Sequence, residues 1–311
     1  MPTAASSERD IGAPFGQIAA MLICVQIIFA LQDSFVKLVS ADLAAWQITT
    51  LRSAFTLCFL LAAARFSPRL ARPVKNRAAV IARSLCQAAS MLLYIVAIAR
   101  LPLAISAVCF YTFPILSTLL SALVARARVG LNTWIAVLLG FVGAALVVGP
   151  AWEAHSAAVV FPLLGALAYA VSVIITHYGC GDESVGGLLR TQHLTLLGVG
   201  LAMQIGGALD LAPAADWSQL ALWQVGAFLG LAAINLLSGM MLAHVYQSAA
   251  PPRLAPFSYS YLAFAALVDT VLWGHPPTAT TLIGGALTAV AGVIALRSQS
   301  SRNRRFNQPL R

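Results

Sequence analysis

Few side chains in this chain could do chemistry, and most of those stand inside long apolar runs. Asp33 and Lys37 fall in FALQDSFVKLVS (29–40), Arg52 in QITTLRSAF (47–55), Arg83 and Gln87 in ARSLCQAAS (82–90), and Asp269 in YSYLAFAALVDTVLW (259–273). A charge in such surroundings is costly and normally faces protein or a cavity, with a partner. Asp33 and Lys37 are four apart and share a helix face. They read either as a local pair near a membrane surface, with Lys37 reaching water, or as part of a substrate or proton site. Arg52 lies deeper, beside Thr49, Thr50 and Ser53. It is either half of an ion pair with Asp33 or an anion site that meets a carboxylate or phosphate. We favour the anion site, because its neighbours keep the region polar.

Uncharged and weakly ionising groups extend this set. Gln87 and Tyr94 are seven apart, on one face, and are expected to line a cavity. Arg83, nearer the end of its run, is expected to snorkel to the membrane surface. Tyr111, Tyr259 and Tyr261 combine an apolar ring with a hydroxyl. Tyr259 and Tyr261 are two apart and cannot share a helix face, so one of them at most faces a cavity. Asn235, beside Ser238, either ties helices together or touches a substrate. Asp269 is either a proton carrier, if its site is dry, or a solvated acid near the outer surface. His244 is expected to hydrogen-bond at the inner surface. The candidate pathway is therefore Asp33, Arg52, Gln87, Tyr94, Tyr111, Asn235, Tyr259 and Asp269.

The elements that must hold these residues follow from composition. The 311 residues are 60% hydrophobic and 9% charged, where a soluble domain carries about a quarter charged residues. Lipid, rather than water, is the expected surroundings. Stretches near the 20 residues a membrane helix needs fall at 16–38, 44–64, 79–99, 102–124, 130–149, 157–178, 188–208, 222–245, 254–273 and 278–296. Leu101–Pro150 shows the pattern well: two apolar runs joined by a short segment with Arg126 and Arg128. The seventh stretch is the weakest, because Arg190, Gln192 and His193 stand at its start.

Charge sets the orientation. The net charge is +9, and the basic residues gather in alternate gaps and the tail: Arg65, Arg69, Arg72, Lys75 and Arg77; Arg126 and Arg128; Arg253; Arg302, Arg304 and Arg305. The other gaps carry Asp42, Glu153, Asp210 and Asp216. Both termini are therefore expected inside, and the positive charge points to membrane orientation rather than to nucleic acid. The basic loop 65–78 is expected to fix topology, with binding of anionic membrane lipid as the alternative. The first apolar stretch is too long for a cleaved signal and is expected to be retained.

The chain also echoes itself. Each half ends in a pair of apolar runs, with Pro114 and Pro256 in the first run and Gly140, Gly143 or Gly284, Gly285, Gly292 in the second. Five spans per half would set the two copies in opposite orientations, the inverted repeat of many secondary carriers. The expected fold class is an all-α polytopic membrane protein of ten transmembrane helices in two inverted five-helix repeats. Its units are a tail (1–15), a first repeat (16–150), a second repeat (157–296) and a basic tail (297–311).

These pieces resemble the drug/metabolite transporter superfamily in its EamA-like branch. The resemblance runs over about 15–296. It rests on the segments around Asp33 and Arg52, on LYIVAIARLPLAISAVCFYTFPILSTLLSAL (93–123) and WIAVLLGFVGAALVVGP (134–150), and on APFSYSYLAFAALVDTVLWGHPP (255–277) and GGALTAVAGVIAL (284–296). Family members commonly carry Gly-Glu at the ends of the fourth and ninth spans. Here those positions read Arg126-Ala127 and Gly274-His275. The resemblance implies a carrier in the cell inner membrane that moves amino acids, metabolites or drugs, driven by protons or by a counter-substrate. It also implies peripheral fifth and tenth spans that serve a possible homodimer.

No Walker A sequence, G-x-S-x-G element or Cys/His metal array occurs, so neither a cofactor nor a metal site is expected. Four of the five Cys lie in apolar runs and Cys180 follows one; they read as small hydrophobes. The expected cargo is a small polar molecule, an amino acid or derivative. The alternatives are a lipophilic drug exporter and a non-transporting membrane scaffold or enzyme.

Overall fold

The computed structural model describes residues 15–39, 42–98, 103–124, 126, 129–148, 157–208, 218–274 and 279–306. Among them every regular element is a helix, as lipid demands of a chain that must satisfy its own backbone. In order they are α1 (Phe15–Val39), α2 (Ala45–Phe66), α3 (Pro68–Ala71), α4 (Arg77–Ile98), α5 (Leu103–Phe110), α6 (Phe113–Leu123) and α7 (Leu131–Val148). Then come α8 (Val160–Ile174), running on into a π-helical turn at Ile175–Gly179, α9 (Val185–Ala208), α10 (Leu222–Ser248), α11 (Pro251–Ser258), α12 (Ser260–Trp273) and α13 (Ala279–Phe306). Arg128, Glu153, Asp210, Asp216 and His275 lie outside the described residues.

Five stretches are long and apolar enough to cross a membrane: Phe15–Val36, Trp46–Phe66, Val160–Gly179, Leu222–Ser248 and Pro251–Leu272. The protein is therefore a multi-pass membrane protein. The weak seventh stretch is a single 24-residue helix, α9, despite its polar start.

Two stretches expected as single spans are each interrupted. Residues 102–124 form α5 and α6, because Pro114 has no N–H for the Phe110 carbonyl, and α5 ends there. Residues 254–273 fall into α11 and α12. Pro256 sits inside α11, which stops at Ser258, and the chain restarts with the Leu262 N–H on the Tyr259 carbonyl at 3.2 Å.

Small residues set the packing, as in lipid they must. α7 runs along α13, and a Cβ on Gly143 would stand 2.7 Å from the Gly284 carbonyl oxygen. The small residues of these two helices thus meet each other within the chain. α4 packs on α8, where a Cβ on Gly165 would stand 3.2 Å from the Ser90 carbonyl oxygen. α2 packs on α9 through Gly200 against Thr50, and α1 lies against α10 and α12. Leu22, Val173, Val245, Leu254 and Phe257 join α1, α8, α10 and α11 in one buried cluster.

The basic loop before α4 is pinned from far along the chain. Glu183, only 8% exposed, accepts hydrogen bonds from the backbone N–H groups of Lys75 (2.8 Å) and Asn76 (2.6 Å). Gln247 of α10 in turn donates to the carbonyls of Cys180 (2.7 Å) and Glu183 (2.9 Å).

Candidate substrate site

The interior is built around Asp33. It stands six residues, about 9 Å along the helix, before the end of α1 at Val39. Tyr261 Oη, on α12, donates a hydrogen bond to Asp33 Oδ2. The Tyr261 ring stacks on Tyr111 at 5.2 Å with the planes 12° apart. Arg52 of α2 is the positive charge that bears on Asp33. The Asp33 side chain itself is exposed.

Each helix interruption supplies a tyrosine to this cluster. Tyr111 follows the end of α5, and Tyr261 begins α12. Beside them an aromatic wall runs from Tyr94 to Phe110 (5.0 Å between ring centres), and from Phe110 to Phe113 (5.9 Å) and Tyr169 (5.8 Å). The stacked tyrosines, the carboxylate and the guanidinium can grip a molecule that has charge at one point and a flat or apolar part at another.

The remaining candidate residues divide. Tyr94 joins the cluster through its aromatic contact and the charge of Asp33. Gln87 Oε1 is buried with no hydrogen-bond partner. Asn235 Nδ2 donates to Thr56 Oγ1 of α2 at 3.1 Å, while Gln32 of α1 donates to Ser238 Oγ at 2.9 Å. Of the two readings of Asn235, the geometry favours the one in which it ties helices together. Tyr259 faces away from Asp33. It is 0% exposed, with its ring against Gly140 and 6.3 Å from Phe141 of α7. Tyr261, two residues on, is the tyrosine bonded to Asp33. Asp269 lies in α12, and its side chain and that of Lys37 fall outside what is described.

Arg83 corrects an expectation. It does not snorkel: it is 3% exposed, and its Nε donates to Thr176 Oγ1 at 2.8 Å while Nη1 donates to Gln192 Oε1 at 3.3 Å. The partners come from the π-helical turn after α8 and from α9. Next to Gln192, His193 is also 3% exposed, its Nδ1 without a partner, and it feels the charges of both Arg52 and Arg83. These three residues were missed as a group. One signal pointed to them: Arg83, Gln87, Ser90 and Tyr94 fall at i, i+4, i+7 and i+11, a polar stripe on one face of a membrane helix. At the adjoining ends of α4 and α9 a cleft of about 280 Å³ is lined by Pro73, Val74, Arg77, Val80, Arg190 and Thr191, among others.

Apolar helices around buried polar side chains, two of the spans interrupted, are the architecture of multi-pass membrane carriers. Residues 16–149 match the family model of the EamA-like transporters, and the relatives the chain resembles are named as transporters and exporters. It is 25% identical over 285 residues to the pseudopaline exporter CntI of one strain of Pseudomonas aeruginosa, covering 90% of this chain and 95% of that one. To the same exporter of a second strain it is 24% identical over 282 residues, with the same coverage. It is also 26% identical over 178 residues to a riboflavin transporter of Rhizobium johnstonii. That match takes in 57% of this chain and just over half, 56%, of the relative. A solved crystal structure superposes with a TM-score of 0.73 over 90% of this chain and 96% of its own, at 16% identity, which speaks to the fold alone.

Proposed function

We propose that this protein is a secondary carrier that moves a small polar metabolite, an amino acid or derivative, by exposing one interior site alternately to the two sides of the inner membrane. The observation that carries the reading is the Asp33–Tyr261 hydrogen bond, under the charge of Arg52 and across helices from opposite ends of the chain. A contact so placed is made or broken when two rigid units rock. The pathway is formed by Asp33, Arg52, Gln87, Tyr94, Tyr111 and Tyr261, with Asn235, Tyr259 and Asp269 in support, and a proton gradient or a counter-substrate supplies the energy. The likeness to proteins named as a riboflavin transporter and a pseudopaline exporter supports a small-molecule cargo.

Helix pairing supports ten spans in two inverted repeats, 16–150 and 157–296, between tails at 1–15 and 297–311 that both lie inside. α5 with α6 counts as one span, and so does α11 with α12. α1 packs on α10 and α12, and α8 packs on α4 and α6; α2 meets α10, and α9 meets α4; α2–α9 and α7–α13 pair directly. Exchanging the two halves carries each of these pairings onto another or onto itself. The aromatic wall beside Asp33 favours a second reading, a lipophilic compound exporter. Exchange by proteoliposomes, with and without a proton gradient, separates the two: selective exchange of polar metabolites supports the first, and movement of hydrophobic cations alone rejects it. Absence of any exchange rejects transport.

A further inference from the structure

Three charged side chains are described in the membrane interior: Asp33, Arg52 and Arg83. Asp33 has a guanidinium to answer it, because Arg52 bears on it. Arg83 has none of the opposite sign. Its hydrogen-bond partners among the described residues, Thr176 and Gln192, are both neutral. Breaking or omitting one half of a buried ion pair leaves an uncompensated charge that the fold must carry at a cost. Arg83 is 3% exposed, so bulk water does not supply the missing counter-charge. Its two printed bonds run from Nε and Nη1 to neutral oxygens, and a guanidinium is shaped for a carboxylate. Two further polar groups adjoin it without partners: Nδ1 of His193, itself 3% exposed, and Oε1 of Gln87, one helical turn from Arg83 on α4. Unpartnered buried polar atoms are rare in folded proteins, and each calls for a ligand, a water or a role.

The polar stripe of α4 runs from this cluster toward Asp33: Arg83, Gln87, Ser90 and Tyr94 share one face, and Tyr94 packs on Phe110 in the aromatic wall. At the adjoining ends of α4 and α9 the 280 Å³ cleft carries Arg77 and Arg190, with buried Glu183 bonded to the backbone of Lys75 and Asn76 nearby.

We propose that Arg83, with His193, is a second carboxylate-recognising station in the same pathway as Arg52, that the Gln87 Oε1 acceptor beside them takes an N–H or O–H of the same cargo, and that the cargo is a net anion carrying more than one carboxylate. The inference rests on the carrier reading above and narrows its substrate class. A zwitterion with one carboxylate satisfies Arg52 and leaves Arg83 unanswered. A molecule with two acidic groups satisfies both, or passes from one station to the next as the carrier turns.

The test is an exchange assay on the full-length protein in proteoliposomes preloaded with a small-metabolite extract of cells, with released compounds read by mass spectrometry. The expected result is release dominated by compounds with two or more carboxylates. Arg83→Gln is expected to cut that release by roughly tenfold or more, the scale of a lost hydrogen bond to a charged group. Arg83→Lys, which keeps the charge and loses the fork, is expected to retain part of it, and His193→Ala to lower it several-fold. Release dominated by neutral or cationic compounds overturns the inference and leaves the carrier reading standing. So does an Arg83→Gln protein that is monodisperse in detergent and exchanges polycarboxylates at the wild-type rate. Should Arg83→Gln fail to fold, Arg83→Lys decides, and unchanged selectivity in that variant overturns the inference. No release beyond that of empty liposomes rejects the carrier reading itself.

Discussion

Replacing Tyr261 by Phe removes one hydroxyl and nothing else. The ring keeps its place against Tyr111, 5.2 Å away and nearly parallel, so the aromatic wall stays intact. What is lost is the donor to Asp33. A hydrogen bond to a charged acceptor contributes about 1.5–3 kcal/mol. Asp33 is exposed, and water takes over part of the bond, so the loss is about 1–2 kcal/mol. At 1.4 kcal/mol per decade that is a factor of roughly 5–30. Where the factor appears depends on when the bond exists. A bond present in only one of the two access states shifts their balance by that factor, so exchange measured from the two faces of the membrane changes unequally. A bond present throughout the cycle lowers the melting temperature and leaves exchange symmetrical. The assay is exchange in oriented proteoliposomes beside thermal unfolding in detergent. A Tyr261→Phe protein with wild-type melting and wild-type exchange from both faces refutes the central place given to this contact.

Three other outcomes follow from the packing. Glu183→Ala strips the acceptor from two backbone N–H groups at 2.8 and 2.6 Å and is expected to cost about 2–4 kcal/mol. A lower melting temperature and new trypsin cleavage after Lys75 are the readouts, and an unchanged protein contradicts the pinning. Gly143→Val places atoms where a Cβ alone would stand 2.7 Å from the Gly284 carbonyl oxygen and 2.9 Å from the Thr288 amide nitrogen. Overpacking against backbone is expected to cost about 1–3 kcal/mol, seen as reduced yield and melting temperature, while Gly198→Ala, in open space, serves as the neutral control. Burial pushes the Cys180 thiol up from 9.0 to about 11, with the charge of Arg83 opposing in part. A raised thiol pKa means less thiolate at any pH below it. Maleimide labelling of Cys180 at pH 8 is therefore expected to run about 100-fold or more slower than that of a free thiol, and to keep rising with pH toward 11, where an ordinary thiol levels off near 9. Labelling at the ordinary rate refutes that environment.

Much of this was legible in the residues themselves. Asp33 and Arg52 could be matched because charges in apolar runs need partners, and the two runs are adjacent in sequence. The spacing of Tyr259 and Tyr261 showed that one of them at most reaches a cavity. It could not show which, since that depends on how α12 is rotated against α1 and α7. Gly140 settles the rotation by making room for the Tyr259 ring. Pro114 carried a readable interruption, whereas the break at Tyr259 lies three residues past Pro256 and has a weaker local signature. Arg83 was misjudged because its depth was counted from the end of α4. The partners that draw it inward, Thr176 and Gln192, lie 93 and 109 residues away, and local spacing has no term for them.

The contacts of α1 have a consequence for how the protein is made. Gln26, Gln32 and Asp33 find their partners at Ser258, Ser238 and Tyr261, which lie 232, 206 and 228 residues downstream. At the usual 5–20 residues per second, the ribosome delivers those partners on the order of 10–40 s after α1. Through that interval the two amides lack their partners in the finished fold, and Asp33 has only the charge of Arg52 on α2 to answer it. The nascent chain must shelter this helix, at the insertion machinery or against α2, until α10 and α12 arrive. Truncation after α9 should therefore leave α1 poorly retained in the bilayer, although its own sequence is long and apolar enough to span it.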